Sequence, residues 1–345
     1  MSHLIIGIDT EGDNQWSAAS RLSPTYENIY ALPRLHTLLR QCQARPSYLV
    51  TYPVAVDPRS VDTLGRLAAG GDCELGAHHH AWETPPCDPQ DARGLPYALQ
   101  IPHDQFTRQL ASLTGALRET AGYAPSSYRS GRFGFHASHT SALEDAGYSV
   151  DTSIQPLFYE AHKGGPDFVD APLTPYWLSH DSAIRAGDSS LLEVPVSAAL
   201  NRQVPRWVVR AYGRAPHPYH TKRLLRLMRI VKTVWLRPSY SSLDEMKRFA
   251  RRLVDSGEPV LNVIFHSSEA IVGGSPYNKT IGQLDAFLDR LRSFLNYAIS
   301  DLQARPVTFK EFHAVWIARE RPADASMWGG LRPPPAIPGP PSRGH

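Results

Sequence analysis

Cysteine is scarce in this chain: Cys42, Cys73 and Cys87 are scattered over 345 residues. That is too few, and too spread out, for a disulfide framework or a zinc knuckle, and it fits a reducing compartment. Long apolar runs are missing as well. No stretch approaches the roughly 18 consecutive apolar residues of a membrane span. The opening "MSHLIIGIDTEGD" has no basic flank, no apolar run of leader length and no cleavage site, so a cytoplasmic location is expected. No internal repeat is visible. Acid is absent between Glu193 and Asp244, where ten Lys and Arg residues occur between Arg202 and Arg237, interleaved with aromatics and leucines. Segment 202–237 could therefore meet phosphates or the inner face of a membrane as a peripheral contact; the bland reading is a solvated basic helix face. No base-reading motif accompanies it, so no nucleic-acid partner is expected.

What the chain does have is alternation. "HLIIGID" is a short Ile-rich run ended by polar residues, which reads as a buried strand. Helical spacing over 27–44 is followed by the β-like "SYLVTYPV", then by the helix pattern "DPRSVDTLGRLAAGG" and the strand "CELGAH". Later, "SSLDEMKRFARRLVDSG" carries a capping box, Ser242 with Glu245, and feeds the apolar strand "PVLNVIFH". Strands alternating with helices imply a parallel α/β sheet, a barrel or a doubly wound sheet. In both, functional groups gather at the C-terminal ends of the strands. Residues 1–318 are expected to form one catalytic domain and 319–345, rich in Pro and Gly, a disordered tail.

The strand ends therefore carry the chemistry. Asp9 and Glu11 end the first strand, and His78 and His80 end the third. Arg129 stands in "YRSGRF", Asp151 and Ser153 follow, and His266 ends "VLNVIF". Side chains two apart on an extended chain share a face, so Asp9 pairs with Glu11 and His78 with His80, while His79 turns away. Two imidazoles and one carboxylate with an open position suit zinc, with cobalt, manganese or nickel as alternatives, in a hydrolytic site. Asp9 suits the proton acceptor and His266 the donor to a leaving group.

In order and spacing, "IDTEGD", "ELGAHHHAWETPP", "YRSGRFGF", "VDTSI" and "NVIFHSSE" resemble the motifs of the polysaccharide deacetylases, also called the NodB-homology or carbohydrate esterase family 4 group. The resemblance runs from about Leu4 to Phe312 and implies a distorted (β/α) barrel of about seven parallel strands. It also implies metal-dependent removal of acetyl groups from sugars. Carried over, Asp9 resembles the catalytic base, Glu11 the metal-binding acid and His78 the first histidine ligand. Arg129 resembles the arginine that orients the base, and Asp151 the aspartate that pairs with the general acid, His266. Arg132, Ser267 and Trp82 are expected to meet substrate, with Trp82 either a stacking platform in the wall formed by loop 83–103 or simply core.

Two departures stand out. The well-known members have adjacent aspartates where this chain has D-x-E, and Asp13 is held open as a substitute for Glu11. Their second histidine lies four residues after the first, where this chain has Trp82; His80, on the same strand face as His78, is expected to take that place, the alternative being a weakened or absent metal. An intracellular enzyme of this kind is expected to act on an acetylated sugar, nucleotide-sugar or lipid-linked sugar. The rivals are a non-catalytic glycan- or lipid-binding relative with a degenerate metal site, favoured by Trp82, and a metal-free glycoside hydrolase.

Overall fold

In the computed structural model, residues 1–88, 94–214 and 231–320 are described. The expected tail beyond 320 and the centre of the basic segment, 215–230, lie outside them. The Ile-rich run at the start forms β1 (His3–Thr10), buried over its whole length, as a parallel strand covered on both faces must be. Around it gather β2 (Pro46–Val50), β3 (Glu74–His79), β4 (Ser127–Ser130), β5 (Val150–Asp151), β6 (Tyr176–Trp177) and β7 (Leu192–Glu193). Further along come β8 (Ala198–Leu200), β9 (Thr233–Trp235), β10 (Val260–His266) and β11 (Arg305–Pro306). The sheet order is β10-β1-β2-β3-β4-β5-β7-β6. Every pairing from β10 to β7 is parallel, which makes seven parallel strands, with β6 antiparallel at the edge and the short β11 beside β1.

The sheet curls into a distorted barrel rather than lying open. No strand pairs β7 directly to β10 among the described residues; irregular chain spans the gap. Ser197 N–H donates to Asn262 O, Asn262 N–H to Ser197 Oγ, and Ile264 N–H to Leu236 O. The Asn262 amide crosses the interior to Thr152 Oγ1 and Val194 O.

The main helices are α1 (Leu32–Gln41), α2 (Pro58–Ala69), α3 (His103–Ala121), α4 (Arg206–Gly213), α5 (Leu243–Asp255), α6 (Ile281–Asn296) and α7 (Phe309–Glu320). The capping box of α5 forms as the sequence predicts, Ser242 Oγ accepting from Glu245 N–H. The strands divide their side chains between two cores. Leu4, Ile6 and Ile8 face the helical layer with Leu35, Leu39 and Phe287. Ile5, Leu49, Val150, Leu192, Val194 and Val260 face inward, where Phe309 and Phe312 of α7 plug the bottom of the barrel. That phase leaves the inner upper positions of β1, β3, β4 and β10 for polar side chains.

The same phase puts Asp151 on the outer side. Val150 and Thr152 point inward, so Asp151 lies between them on the outer face, in register with Glu193 of β7. Both carboxyls are wholly buried; Ser153 Oγ donates to Asp151 Oδ1 and Ile154 N–H to Glu193 Oε1. Burial pushes both upward, Asp151 to about 6 and Glu193, repelled also by the Asp151 charge, well above the ordinary carboxylate value. The folded protein therefore holds protons that the unfolded chain has already released at about pH 4. Stability from this pair is full at low pH and is lost as pH rises through the raised carboxyl values, about 6 for Asp151 and higher for Glu193. Glu193→Gln removes one titration and the repulsion, so its melting temperature relative to the parent is expected to rise between pH 4.5 and 7.5. Thermal unfolding at both pH values checks this; a constant difference would show that the pair does not titrate as described.

A candidate metal centre in an acid–base cleft

Four strand ends build the site. Asp9 of β1 and His266 of β10 are direct register partners, as are His78 of β3 and Arg129 of β4. Inward alternation then brings Asp9, Glu11, His78, His80, Arg129 and His266 together around one cleft of about 410 Å³. Two close approaches depend on glycine. A Cβ on Gly7 would stand 2.7 Å from Arg129 Nη2, and one on Gly131 would overlap the His80 ring.

Glu11, His78 and His80 are all buried, and they offer ligand atoms within 4.8 Å of one another. The His80 Nε2 lies 3.3 Å from Glu11 Oε2 and 3.0 Å from His78 Nε2. Burial pushes both imidazoles down to about 3, so they are neutral. Each has its other nitrogen occupied: His78 Nδ1–H donates to Arg129 O at 3.1 Å and His80 Nδ1–H to Glu83 Oε1 at 2.6 Å. Such outer partners fix the tautomer and leave the Nε2 lone pair for a metal. Burial, with Asp9 and Glu83 nearby, raises Glu11 well above its usual range. Two lone pairs and an electron-rich carboxylate meeting in a buried pocket fit a divalent cation, and the donor set is of the kind zinc takes.

Beside this triad sits an acid–base pair. Arg129 Nη1–H donates to Asp9 Oδ1. Burial alone would raise the Asp9 carboxyl, but Arg129, aided by His78 and His266, holds it well below the usual range. The His266 Nε2 faces Asp9 Oδ2 at 3.7 Å and Glu11 Oε1 at 3.8 Å. Its Nδ1–H donates to Glu269 Oε1 at 2.9 Å, and Arg237 Nη2–H donates to the same oxygen at 2.6 Å. Arg237 holds Glu269 down, to about 2, against a burial that would raise it.

The carboxylate behind His266 is therefore Glu269, not Asp151. Period-two alternation is the reason: Asp151 belongs to the outer face with Glu193, and Thr152 takes the inner position, where its backbone O accepts from Arg129 Nε–H. Ser267 is not at the cleft either. It is fully buried, and its hydroxyl donates to Asn28 Oδ1. Trp82 lines the cleft but is no open platform: it is buried and stacks on His80 at 4.1 Å between centroids. Arg132 does line the cleft, with Nη2–H on the Tyr97 hydroxyl and its guanidinium over that ring. Leu95 and Tyr97 of loop 83–103 form part of the wall, while 89–93 lie outside the described residues. Asp13 is no ligand, because its carboxylate accepts from Thr25 Oγ1, Glu27 N–H, Asn28 N–H and Asn28 Nδ2. His79 points outward to Gln109 Oε1 at 2.7 Å.

Sequence reasoning missed Glu83, Glu269 and Arg237. The two acids had a local signal, each following its histidine by three residues, the spacing of a single turn that reaches back. Arg237 had none, since it arrives from the β9 segment. The basic segment finds its missing acids in the same long-range way. Arg210 and Arg214 pair with Asp170 and Asp167, and Lys232 with Glu245. A second cluster, His36–Asp72–Cys73, is already closed, with Arg40 at 2.9 Å on Asp72 and Tyr48 OH at 3.0 Å from His36. Among the described residues no helix is long and apolar enough to cross a membrane.

No protein-family model matches the chain, and no curated protein matches its sequence. Solved structures share its fold. A Mycobacterium smegmatis protein assigned to the polysaccharide deacetylases superposes with a TM-score of 0.54 at 16% identity, covering 92% of both chains. A Parabacteroides distasonis protein assigned as a glycoside hydrolase or deacetylase gives 0.60 at 13% identity, covering 92% of this chain and 71% of its own. The allantoinase Puue gives 0.51 at 14% identity, covering 92% and 89%. The chain has the deacetylase-type distorted barrel; at these identities the likeness speaks for the fold alone.

Proposed function

We propose that this chain is a metal-dependent hydrolase that removes an acetyl or related N-acyl group from a sugar or sugar-bearing precursor. The observation that carries the reading is the convergence of a Glu11–His78–His80 donor set with an acid–base pair, Asp9 and His266, on one cleft.

Glu11, His78 and His80 would hold the cation, zinc by preference for the imidazole and carboxylate donors. When bound, such a cation supplies Lewis acidity, polarising a carbonyl and making a water more acidic. Asp9 is the proton acceptor. Arg129 occupies its Oδ1 and keeps it ionised, and Oδ2 is the oxygen turned toward the cleft histidine. His266 is the proton donor through Nε2, its ring held by Glu269 at Nδ1 and Glu269 held by Arg237. As water adds to the acyl carbon it gives a proton to Asp9. As the C–N bond breaks the leaving nitrogen takes one from His266, so amide and water become amine and carboxylate.

A metal-free glycosidase needs two carboxylates flanking the bond from both sides. Asp9 and Glu11 leave the same strand and face the same point, which disfavours that chemistry.

The test is acetate release by the full chain from a panel of N-acetylhexosamines, supplied as methyl glycosides, as disaccharides and as nucleotide diphosphate sugars. Activity is expected on at least one class, abolished by chelation and restored by zinc, cobalt or manganese. Release that persists from metal-free protein would overturn the metal assignment. Hydrolysis confined to amides that carry no sugar would overturn the substrate class.

A further inference from the structure

Directly after the Asp9–Glu11 pair, the turn "DNQW" carries Gln15 and Trp16 back over the cleft. It is a braced turn. Asp13 ties it to residues 25–28 through four hydrogen bonds, Asn14 adopts a left-handed φ of 46°, and Asn14 N–H donates to Gly274 O at 2.7 Å. A non-glycine residue held in that conformation is strained, and such strain gathers where a side chain has to be aimed.

What is aimed is unusual for a surface turn. Trp16 keeps 39% of its surface exposed while lining the cleft, and meets the His266 ring at 4.8 Å and the Tyr277 ring edge-on at 5.7 Å. Tyr277 is 37% exposed, so the two rings form an open aromatic corner next to the proton donor. Gln15 lines the same cleft and is only 9% exposed, yet its side-chain oxygen has no hydrogen-bond partner. A buried amide oxygen left unpaired costs free energy unless something arrives to satisfy it.

We infer that Gln15 and Trp16 form a pyranose subsite on the leaving-group side of the cleft: the indole packs against the C–H face of the ring that carries the departing nitrogen, and the Gln15 amide oxygen accepts from a ring hydroxyl. The inference rests on the deacylase reading and deepens it by assigning which part of the substrate these residues meet. A pyranose suits both features, having an apolar C–H face and hydroxyls at its edge; an exposed ring beside a polar group fixed in orientation is how sites recognise such amphipathic ligands. The position follows from the chemistry. His266 protonates the leaving nitrogen, so the ring bearing that nitrogen must lie within reach of His266, where Trp16 stands.

The test compares Trp16→Ala, Trp16→Phe and Gln15→Ala with the parent on whichever N-acetylated methyl glycoside of the panel it hydrolyses best, with Trp207→Ala as the control. Trp207 is 72% exposed and does not line the cleft, so its loss should leave kcat and KM unchanged. Trp16→Ala should raise KM about tenfold or more, well beyond any fall in kcat; Trp16→Phe should recover most of that, and Gln15→Ala should raise KM severalfold. Titration of the metal-loaded protein with the same glycoside, followed by tryptophan fluorescence, should show a quench that Trp16→Ala removes. A fall in kcat at constant KM would mean that Trp16 merely packs against His266, and would overturn the subsite. So would an unchanged KM. Absence of turnover and quench with every sugar, while a simple acetate ester is hydrolysed, would defeat the sugar reading itself, an outcome distinct from the failure of the subsite alone.

Discussion

Replacing His80 by alanine is expected to empty the metal centre and with it to abolish deacylation. The donor set has three members, and removing one leaves Glu11 and His78, too few to hold a divalent ion tightly. The parent protein, loaded and washed, should carry close to one equivalent of metal, and the variant less than a tenth of that by elemental analysis. Lewis acidity contributes several kcal/mol to such reactions, and each 1.4 kcal/mol is about tenfold in rate, so activity should fall about a thousandfold or more. His80 also supports Trp82 by stacking and abuts Gly131, so the alanine variant loses packing as well. Glu11→Gln, nearly isosteric, separates the two effects: it should lose metal while keeping the melting temperature of the metal-free parent. If both variants retained a full equivalent of metal, the triad would not be the binding site.

Asp9→Asn is expected to do the opposite, keeping the metal and losing the chemistry. An amide cannot accept the proton that a carboxylate takes, and a positioned general base is worth about 10²–10⁴ in rate. Metal content should be unchanged, because none of the triad is touched. There is a structural cost as well. Arg129 is fully buried, and Asp9 is its carboxylate partner. Leaving such a charge unpaired costs about 3–5 kcal/mol, so the melting temperature should drop by many degrees and rates must be compared below the variant's transition. A loss of less than tenfold in kcat by folded, metal-bound Asp9→Asn would show that His266 both takes and gives the proton.

Much of this site is legible in the order of the amino acids. The strand period of two dictates that Asp9 and Glu11 share one side and that His78 and His80 share another, with His79 excluded. The rule that parallel strands deliver function at their C-terminal ends then makes these two pairs neighbours of Arg129 and His266. That His80 shares a strand face with His78 is likewise local geometry, and the structure places both imidazoles against Glu11. Glu83 and Glu269 could have been found by asking which acid lies one turn beyond each histidine.

Other features depended on contacts that no window of sequence contains. Whether Asp151 or Thr152 faces the barrel is a choice of phase, and a one-residue shift reverses it. The phase is set by register with β4 and β7 and by the inner packing of Val150, Leu192 and Val194. Arg237 reaches Glu269 because the chain following the β8–β9 antiparallel pair runs beside β10, where Ile264 N–H donates to Leu236 O. The basic segment looked like an uncompensated patch; Asp167, Asp170 and Glu245, distant in sequence, neutralise part of it. By itself, then, the sequence determined the parallel α/β class, the candidate donor triad and the candidate acid–base residues, because strand alternation and strand-end placement are short-range consequences of backbone geometry, while the choice of a barrel over an open sheet came from the motif resemblance. Only the tertiary structure decided which carboxylate backs His266, which residues brace the cleft and where the basic side chains find partners, because those depend on sheet order, register and the closing of the barrel.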